Sequence, residues 1–435
     1  MDFPAAAQPT RLVVLDPGHF HASLVQKNMY PWLAKQVSVY APIGPDVLDY
    51  LQRITLFNSR KENPAGWEIE LHSGPGFLER MLRERPGNVV IMSGRNRPKI
   101  DRVSASVEAG LNVLVDKPWI IRSADLPKLE RGLDEAGSKR LVAYDIMTER
   151  FEITSILQRE LVNDEALFGK VETGSDAAPA ITARSVHHLM KEVAGVPLRR
   201  PAWFFDIAET GEGLADVGTH VVDLIQWIAF RDQKLDYRTD IHILGARRWP
   251  TVIPQADFQR VTGESEFPGY LATNVNDGKL DYFCNNCVHY TVRGVHVKLD
   301  ILWNWEAPAG TGDFYEATFR GSKSRVELRQ GEAERFVPEL YVVPEAGKQT
   351  EVLAALKKKI EELQASYPGV AIEDSAQGLR ILIPNRFRVG HEAHFAQVTN
   401  QFFDYLKAPD SLPAWEKSNM LVKYFITTKG VEAAQ

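Results

Sequence analysis

At 435 residues, 44% hydrophobic and 25% charged, the chain has core material for two or three globular domains. A formal net charge of −6 argues against nucleic acid or an anionic membrane as main partner, and no apolar run approaches the length that spans a bilayer. The two cysteines, Cys284 and Cys287, exclude a disulfide framework, and a reduced cytoplasmic setting is the default. The opening MDFPAAAQPT is not an intact signal peptide, and export after trimming of a leader is the alternative.

Arg11 to Leu15 reads as a short buried strand that Asp16-Pro17-Gly18 breaks, and His19-Phe20-His21 opens a helix expected to reach about Asn28. Strand, tight turn and helix start make a diphosphate site, because free backbone N–H groups and the helix dipole attract anions. The G-x-G-x-x-G pattern is altered here: Asp16 stands at the first glycine, Gly18 keeps the second, and His21 takes the third. Asp16 would crowd a pyrophosphate unless the backbone carries it aside. His19 and His21 are candidate donors to phosphate or substrate, with packing under the turn as the alternative. After a strand at Gln36 to Tyr40, Asp46 is the candidate for the adenosine ribose, and the absence of arginine just after the strand favours NAD over NADP.

Helices are expected at Leu48 to Phe57, Phe77 to Arg85, Ile100 to Ala109 and Ala124 to Ala136. Between them lie a polar loop at Asn58 to Gly66 and strands at Asn88 to Met92, Val113 to Val115 and Arg140 to Tyr144. This alternation predicts a doubly wound parallel sheet covered on both faces. One strand ends in Ser93-Gly94-Arg95-Asn96 and the next in Asp116-Lys117-Pro118, which delivers a lysine to the edge where such sheets bind ligands. Tyr144 is expected at the same crevice.

After about Met147 the pattern changes. Phe151 to Val162 reads as a helix and Lys170 to Gly174 as the first of several strands. A loop from Ser185 to Pro201 carries His187, His188 and Lys191, expected over the site or simply at the surface. Within Glu209 to Phe230, a glycine-rich turn leads into a helix whose Leu214, Val217, Val221, Leu224 and Ile228 form an apolar stripe. The adjoining stripe is Asp216, His220, Asp223 and Trp227. Asp216 and His220 stand one turn apart, so the carboxylate can orient the imidazole as a general base requires; a half-buried structural histidine is the rival. Strand-like runs at Asp240 to Gly245, Leu280 to Tyr290, His296 to Trp303, Phe314 to Arg320 and Arg325 to Arg329 predict an open, mainly antiparallel sheet. Its free face suits a second subunit, as a dimer or tetramer. Cys284-Asn285-Asn286-Cys287 has zinc-ligand spacing with His289 and His296 nearby, but one such pair is a weak signal. The two asparagines read as a turn or bulge, and no metal is expected. Glu351 to Ser366 is a lone amphipathic helix, and His394 to Leu406 and Glu416 to Lys429 are helical.

Asp116-Lys117-Pro118 and Asp216-Val217-Gly218-Thr219-His220-Val221-Val222-Asp223 resemble the Glu-Lys-Pro and D-x-G-x-H-x-x-D motifs of the Gfo/Idh/MocA family of nicotinamide-dependent sugar and inositol oxidoreductases, with aspartate for glutamate in the first. Glu149-Arg150-Phe151, Leu167-Phe168-Gly169-Lys170-Val171, Trp203-Phe204-Phe205-Asp206 and Phe319-Arg320-Gly321-Ser322-Lys323 extend the resemblance from about Arg11 to Gln330, and it returns in the last forty residues. It implies a Rossmann-type domain over 1–148 and an α+β domain over 149–435, with 351–366 as a helical insertion and 391–435 packing back on the first domain. It implies NAD, with NADP as the alternative, held by Gly18, His19, Phe20, His21, Asp46, Ser93, Gly94, Asn96, Asp116 and Lys117, while Lys99 stands in for the family's histidine after Asn96. Substrate contacts would come from Lys117, Tyr144, His187, Asp216 and His220. Lys117 would steady a developing alkoxide and His220, held by Asp216, would take the proton, although some relatives exchange these roles. Asp223 would either support the groups that touch substrate or be structural. The implied reaction is hydride transfer between nicotinamide and a secondary hydroxyl of a sugar, glycoside or cyclic polyol. Its rivals are a glycosidase that uses NAD transiently by oxidation and elimination, an inactive nucleotide-binding protein, and a zinc protein built on Cys284 and Cys287.

Overall fold

The computed structural model describes residues 10–193, 196–197, 199–308 and 310–435, with the backbone alone for 192–193 and 196–197. Residues 1–9, on which the leader question bears, lie outside these. Two compact units emerge: 10–120, 125–148 and 390–413 form the first, and 121–124, 149–389 and 414–435 the second.

In chain order the first unit runs β1 (Leu12–Leu15), α1 (His21–Val25), β2 (Gln36–Ala41), α2 (Pro45–Ser59), β3 (Glu68–Ser73), α3 (Phe77–Glu84), β4 (Val89–Met92), α4 (Lys99–Glu108), β5 (Asn112–Val115), α5 (Leu126–Ser138) and β6 (Ala143–Asp145). Its sheet has the order β3-β2-β1-β4-β5-β6 with every pair parallel. β1 and β4 are apolar and buried at every position, as strands covered on both faces must be. The order reverses between β1 and β4, so the crevice for a ligand opens at their carboxyl ends. Three local expectations need correction. α1 stops after five residues instead of reaching Asn28, α2 starts earlier because Pro45 is favoured at a first helical position, and β3 was not foreseen. β3 lies at the sheet edge, where EIELHS mixes polar and half-buried positions.

The second unit continues with α6 (Ile153–Val162), β7 (Ile181–Met190), β8 (Glu192–Val193), β9 (Val196–Pro197), α7 (Ile207–Thr210), α8 (Gly213–Ala229), β10 (Ile241–Pro254), α9 (Gln255–Thr262), β11 (Val275–Asn276), β12 (Lys279–Val292), β13 (Val295–Glu306), β14 (Phe314–Arg320), β15 (Ser324–Arg329), β16 (Glu339–Pro344), α10 (Gln349–Leu363), β17 (Ala371–Ser375) and β18 (Gly378–Leu382). Its large sheet has the order β10-β12-β13-β7-β14-β15-β16-β18-β17, with β11 beside β12. All its pairs are antiparallel except β13 with β7. Ser185 to Met190, expected as loop, is the second half of β7, while Lys170 to Gly174 contributes isolated bridges at Val171 and Gly174 and no strand. Buried Ser185 and His188 disguised β7, because polar residues at buried positions of a strand break the apolar pattern.

The apolar stripe of α8 is buried throughout and packs on β7, β12 and β13. Each such side chain contributes roughly 1.5–3 kcal/mol of burial. The start of α8 lies so close to β12 that a Cβ on Gly213 would be 1.9 Å from the Cys284 carbonyl oxygen, which accounts for a glycine there. Of the two tail helices, α11 (His391–Lys407) belongs to the first unit, where it packs on α1, whereas α12 (Glu416–Ala433) belongs to the second and packs on α8.

Candidate active site

In the first unit the ends of β4 and β5 share one polar network. Asp116 is 4% exposed, its Oδ1 accepts from Lys99 Nζ at 2.6 Å, and its Oδ2 accepts from Ser93 Oγ at 2.9 Å. His21 Nδ1 stands 3.3 Å and His19 Nδ1 3.7 Å from the same Oδ2. Burial alone would raise the Asp116 pKa, but Lys99 and the two histidines outweigh it and hold the carboxyl well below its usual range. Lys99, lowered by its own burial, also donates to Asn96 Oδ1 at 2.7 Å. Lys117 follows directly, half-buried, and its bond to Pro118 is cis.

The altered glycine turn has a definite geometry. Asp16 takes a left-handed backbone at φ +46°, and its carboxylate meets Arg102 at 2.5 Å. A pyrophosphate would therefore face a compensated charge there, with Arg95 and Arg102 both lining the cleft beside Ser93 and Gly94. Gly18 N–H donates to the Ser93 carbonyl at 2.7 Å, and a Cβ on Gly94 (φ +150°) would be 2.7 Å from Gly18 N. The turns after β1 and β4 thus interlock, and Gly18 serves that contact. Asp46 lies 3.9 Å from Arg95. These residues fit a dinucleotide: the strand order supplies the crevice, and Arg102 and Arg95 offset the Asp16 and Asp46 carboxylates that would otherwise repel its phosphates.

Two expected site residues are occupied with packing. Tyr144 is 4% exposed and donates to Gln401 on α11 at 2.8 Å, beside Tyr405. His21 is buried against Phe395, with ring centroids 4.7 Å apart.

In the second unit, Asn286 caps α8 from a strand 72 residues away in sequence: its Oδ1 accepts from Leu214 N at 2.8 Å and its Nδ2 donates to Glu212 Oε2 at 3.0 Å. Asn285 accepts from Trp303 N at 2.8 Å. The asparagines between the cysteines therefore sit in a bulged strand and secure its neighbours. Burial pushes the Cys284 thiol up to about 12 and that of Cys287, beside Asp300, to about 11.

Asp216 and His220 are half-exposed one turn apart on α8, whereas Asp223 is 1% exposed. Arg150 grips Asp223 with two bonds of 2.6 and 2.7 Å, Lys423 approaches to 3.2 Å, and Glu416 takes the third Arg150 nitrogen at 2.6 Å. The negative charge of Asp216 acts on half-buried Arg200 and on buried Tyr282. Arg200 lies over Phe204 and Trp303 at 4.5 and 5.1 Å, and the His187 ring is 4.9 Å from Trp303. Asp313 gathers His187 Nδ1 (2.9 Å), the His188 backbone N–H (3.0 Å) and Lys191 Nζ. His187 and Lys191 together overcome burial and keep the Asp313 carboxyl well below its usual range. Sequence reasoning missed Arg200 and Asp313: Trp303 lies far from the first in the chain, and His187, His188 and Lys191 far from the second.

A family model described as "Putative oxidoreductase C terminal domain" matches residues 157–435. The chain belongs to this oxidoreductase family. A putative oxidoreductase from Parabacteroides merdae ATCC 43184 is 45% identical over 99% of both chains, with a TM-score of 0.96. GenD2 from gentamicin A biosynthesis, solved in complex with NAD, is 13% identical over 100% of this chain and 97% of its own, with a TM-score of 0.56. The 3-ketoreductase KijD10 from Actinomadura kijaniata, solved with NADP and TDP-benzene, is 14% identical over 96% and 95%, with a TM-score of 0.55. At such identities GenD2 and KijD10 share the fold with this oxidoreductase. A search of curated proteins finds no match.

Proposed function

We propose that the protein is a nicotinamide-dependent oxidoreductase of the Gfo/Idh/MocA type, acting between a secondary hydroxyl of a sugar, glycoside or cyclic polyol and the corresponding keto-sugar. The observation that carries this reading is Asp116, buried and fixed by Lys99, Ser93 and His21, with Lys117 next to it at the carboxyl end of β5. That is the ligand-binding edge of an open α/β sheet. The NAD and NADP in the GenD2 and KijD10 structures support the same cofactor class here.

The dinucleotide would be held by the 18–21 and 93–96 turns, with Arg95, Arg102 and Asp46 about its anionic and ribose parts. When bound, the nicotinamide accepts or supplies hydride. Lys117 donates to the alcohol oxygen and steadies developing alkoxide. His220 takes the hydroxyl proton, and Asp216 keeps its ring in the required tautomer. His187, beside Trp303 and anchored by Asp313, contacts the sugar. The first unit serves the cofactor and the second the substrate. The second unit's open sheet, with Leu244 and Val252 exposed on β10, pairs with another copy of the chain.

Absorbance at the reduced-nicotinamide band, followed while NAD or NADP is offered with a panel of sugars, glycosides and polyols, tests the reading. Net reduction with one member of the panel is expected. Glycoside cleavage without net reduction would assign the oxidation–elimination route instead, and silence across the panel in both directions would overturn the proposal.

A further inference from the structure

We propose that Asp176, His289 and His296 bind a divalent first-row transition cation of the Zn²⁺ class. His289 lies on β12 and His296 on β13, and Asp176 belongs to the turn between the Gly174 and Pro179 bridge partners. His296 Nδ1 is 3.1 Å and His289 Nε2 3.8 Å from the same Asp176 Oδ1, and the two nitrogens are 3.4 Å apart. A tetrahedral zinc with bonds of about 2.0–2.1 Å separates its ligand atoms by about 3.3–3.4 Å. Two edges of the donor triangle, 3.1 and 3.4 Å, are close to that separation and the third, 3.8 Å, is somewhat longer, so a small turn of the exposed Asp176 side chain brings all three donors onto one cation. Two imidazoles and one carboxylate suit such a metal, and water completes the shell because Asp176 is 76% exposed.

The backbone holds this triangle in place. Ser175 N–H donates to the Ala178 carbonyl at 3.0 Å, and His296 N–H donates to the Thr173 carbonyl at 2.8 Å, so the turn is pinned to β13 at the ligand residue itself. Gly174 permits this turn at φ +68°, where a Cβ would be 2.3 Å from Ala180 N. Another triad, His19, His21 and Asp116, has comparable spacing, but there Lys99 at 2.6 Å already compensates the carboxylate, and a second cation would be repelled. Beside His289 and His296 the charged neighbours are Asp176 and Lys298, and Lys298 inclines toward Asp300 at 3.9 Å.

The test is a competition titration of the full-length, tag-free chain with Zn²⁺ against a chromophoric chelator. One tight equivalent is expected, with affinity falling more than about tenfold in His289→Ala and in His296→Ala, since even outer-shell partners are worth that much. Cys287→Ser, on the same strand, should leave affinity unchanged, and Co²⁺ should give the intense visible bands of a low-coordinate site in the parent and in Cys287→Ser but in neither histidine variant. Circular dichroism verifies that each variant is folded. Zn²⁺ affinity equal in the parent and both histidine variants, or no stoichiometric uptake by the parent, overturns the site. Nicotinamide-linked turnover plays no part in the readout.

Discussion

Asp116 in the first unit and Asp223 in the second are both buried carboxylates with a lysine at hand, at 2.6 and 3.2 Å. Their other partners differ. Asp223 is closed in by the Arg150 fork, and Glu416 balances the remaining positive charge between α8, α12 and the turn before α6. Burial raises the Glu416 pKa, while Arg150 and Lys423 overcome burial and keep Asp223 ionised. Asp116 is instead bonded by Lys99 and Ser93, with His19, whose side chain is 37% exposed, 3.7 Å away, and Lys117 is its chain neighbour. A buried charge sealed by forked and opposite charges holds helices together. A buried charge held by one lysine and a hydroxyl at the open edge of a parallel sheet orients groups that meet a ligand.

Substitutions can break or sharpen this contrast. The largest effect is expected from His220→Ala, which should lower turnover by about 10²- to 10⁴-fold. Asp216→Asn should lower turnover more than substrate affinity, and if it keeps full turnover while His220→Ala is inactive, the carboxylate is merely structural. Asp223→Ala leaves Arg150 and Lys423 facing an uncompensated cluster and should cost about 3–5 kcal/mol, read as a lower urea midpoint, with the folded fraction turning over near the parent rate. Collapse of turnover at unchanged stability would invert the comparison.

Gly94→Ala should cost about 1–3 kcal/mol and weaken NAD binding measured by calorimetry, because the added carbon meets Gly18 at a backbone angle that favours glycine. The smallest effect concerns acid. The Asp116 pKa is depressed in the folded chain, so its ionised form contributes stability above the unfolded value of about 4, and that contribution is lost as pH falls through the range below it. In Asp116→Asn the dependence of stability on pH below about 4 should flatten, whatever happens to its level. An unaltered slope would mean that the depressed carboxyl is not Asp116.

Elements with a clean period were readable from the chain. The five apolar positions of α8 fall on its buried face, and the apolar run before Asp116-Lys117-Pro118 marks β5 at the sheet's ligand edge. What stayed hidden depended on distant partners or on the backbone. Asp16 looked hostile to a diphosphate until its left-handed turn and Arg102, far along the chain, placed the carboxylate. β7 was hidden by polar residues that Asp313 and the surrounding fold satisfy. Tyr144 lies in β6 near the carboxyl end of the sheet, yet its ring turns under α11, because helix packing decides that direction.

The most direct test of the central claim is single-turnover reduction of bound NAD by Lys117→Met, using a substrate that the parent oxidises. The variant keeps the aliphatic stem and removes the ammonium. NAD affinity should stay near the parent value while the chemical step slows by about 10²- to 10⁴-fold, and combining it with His220→Ala should cost less than the product of the single losses. Reduction at the parent rate in Lys117→Met would contradict the assignment of the β5 strand end as the centre of this oxidoreductase's chemistry.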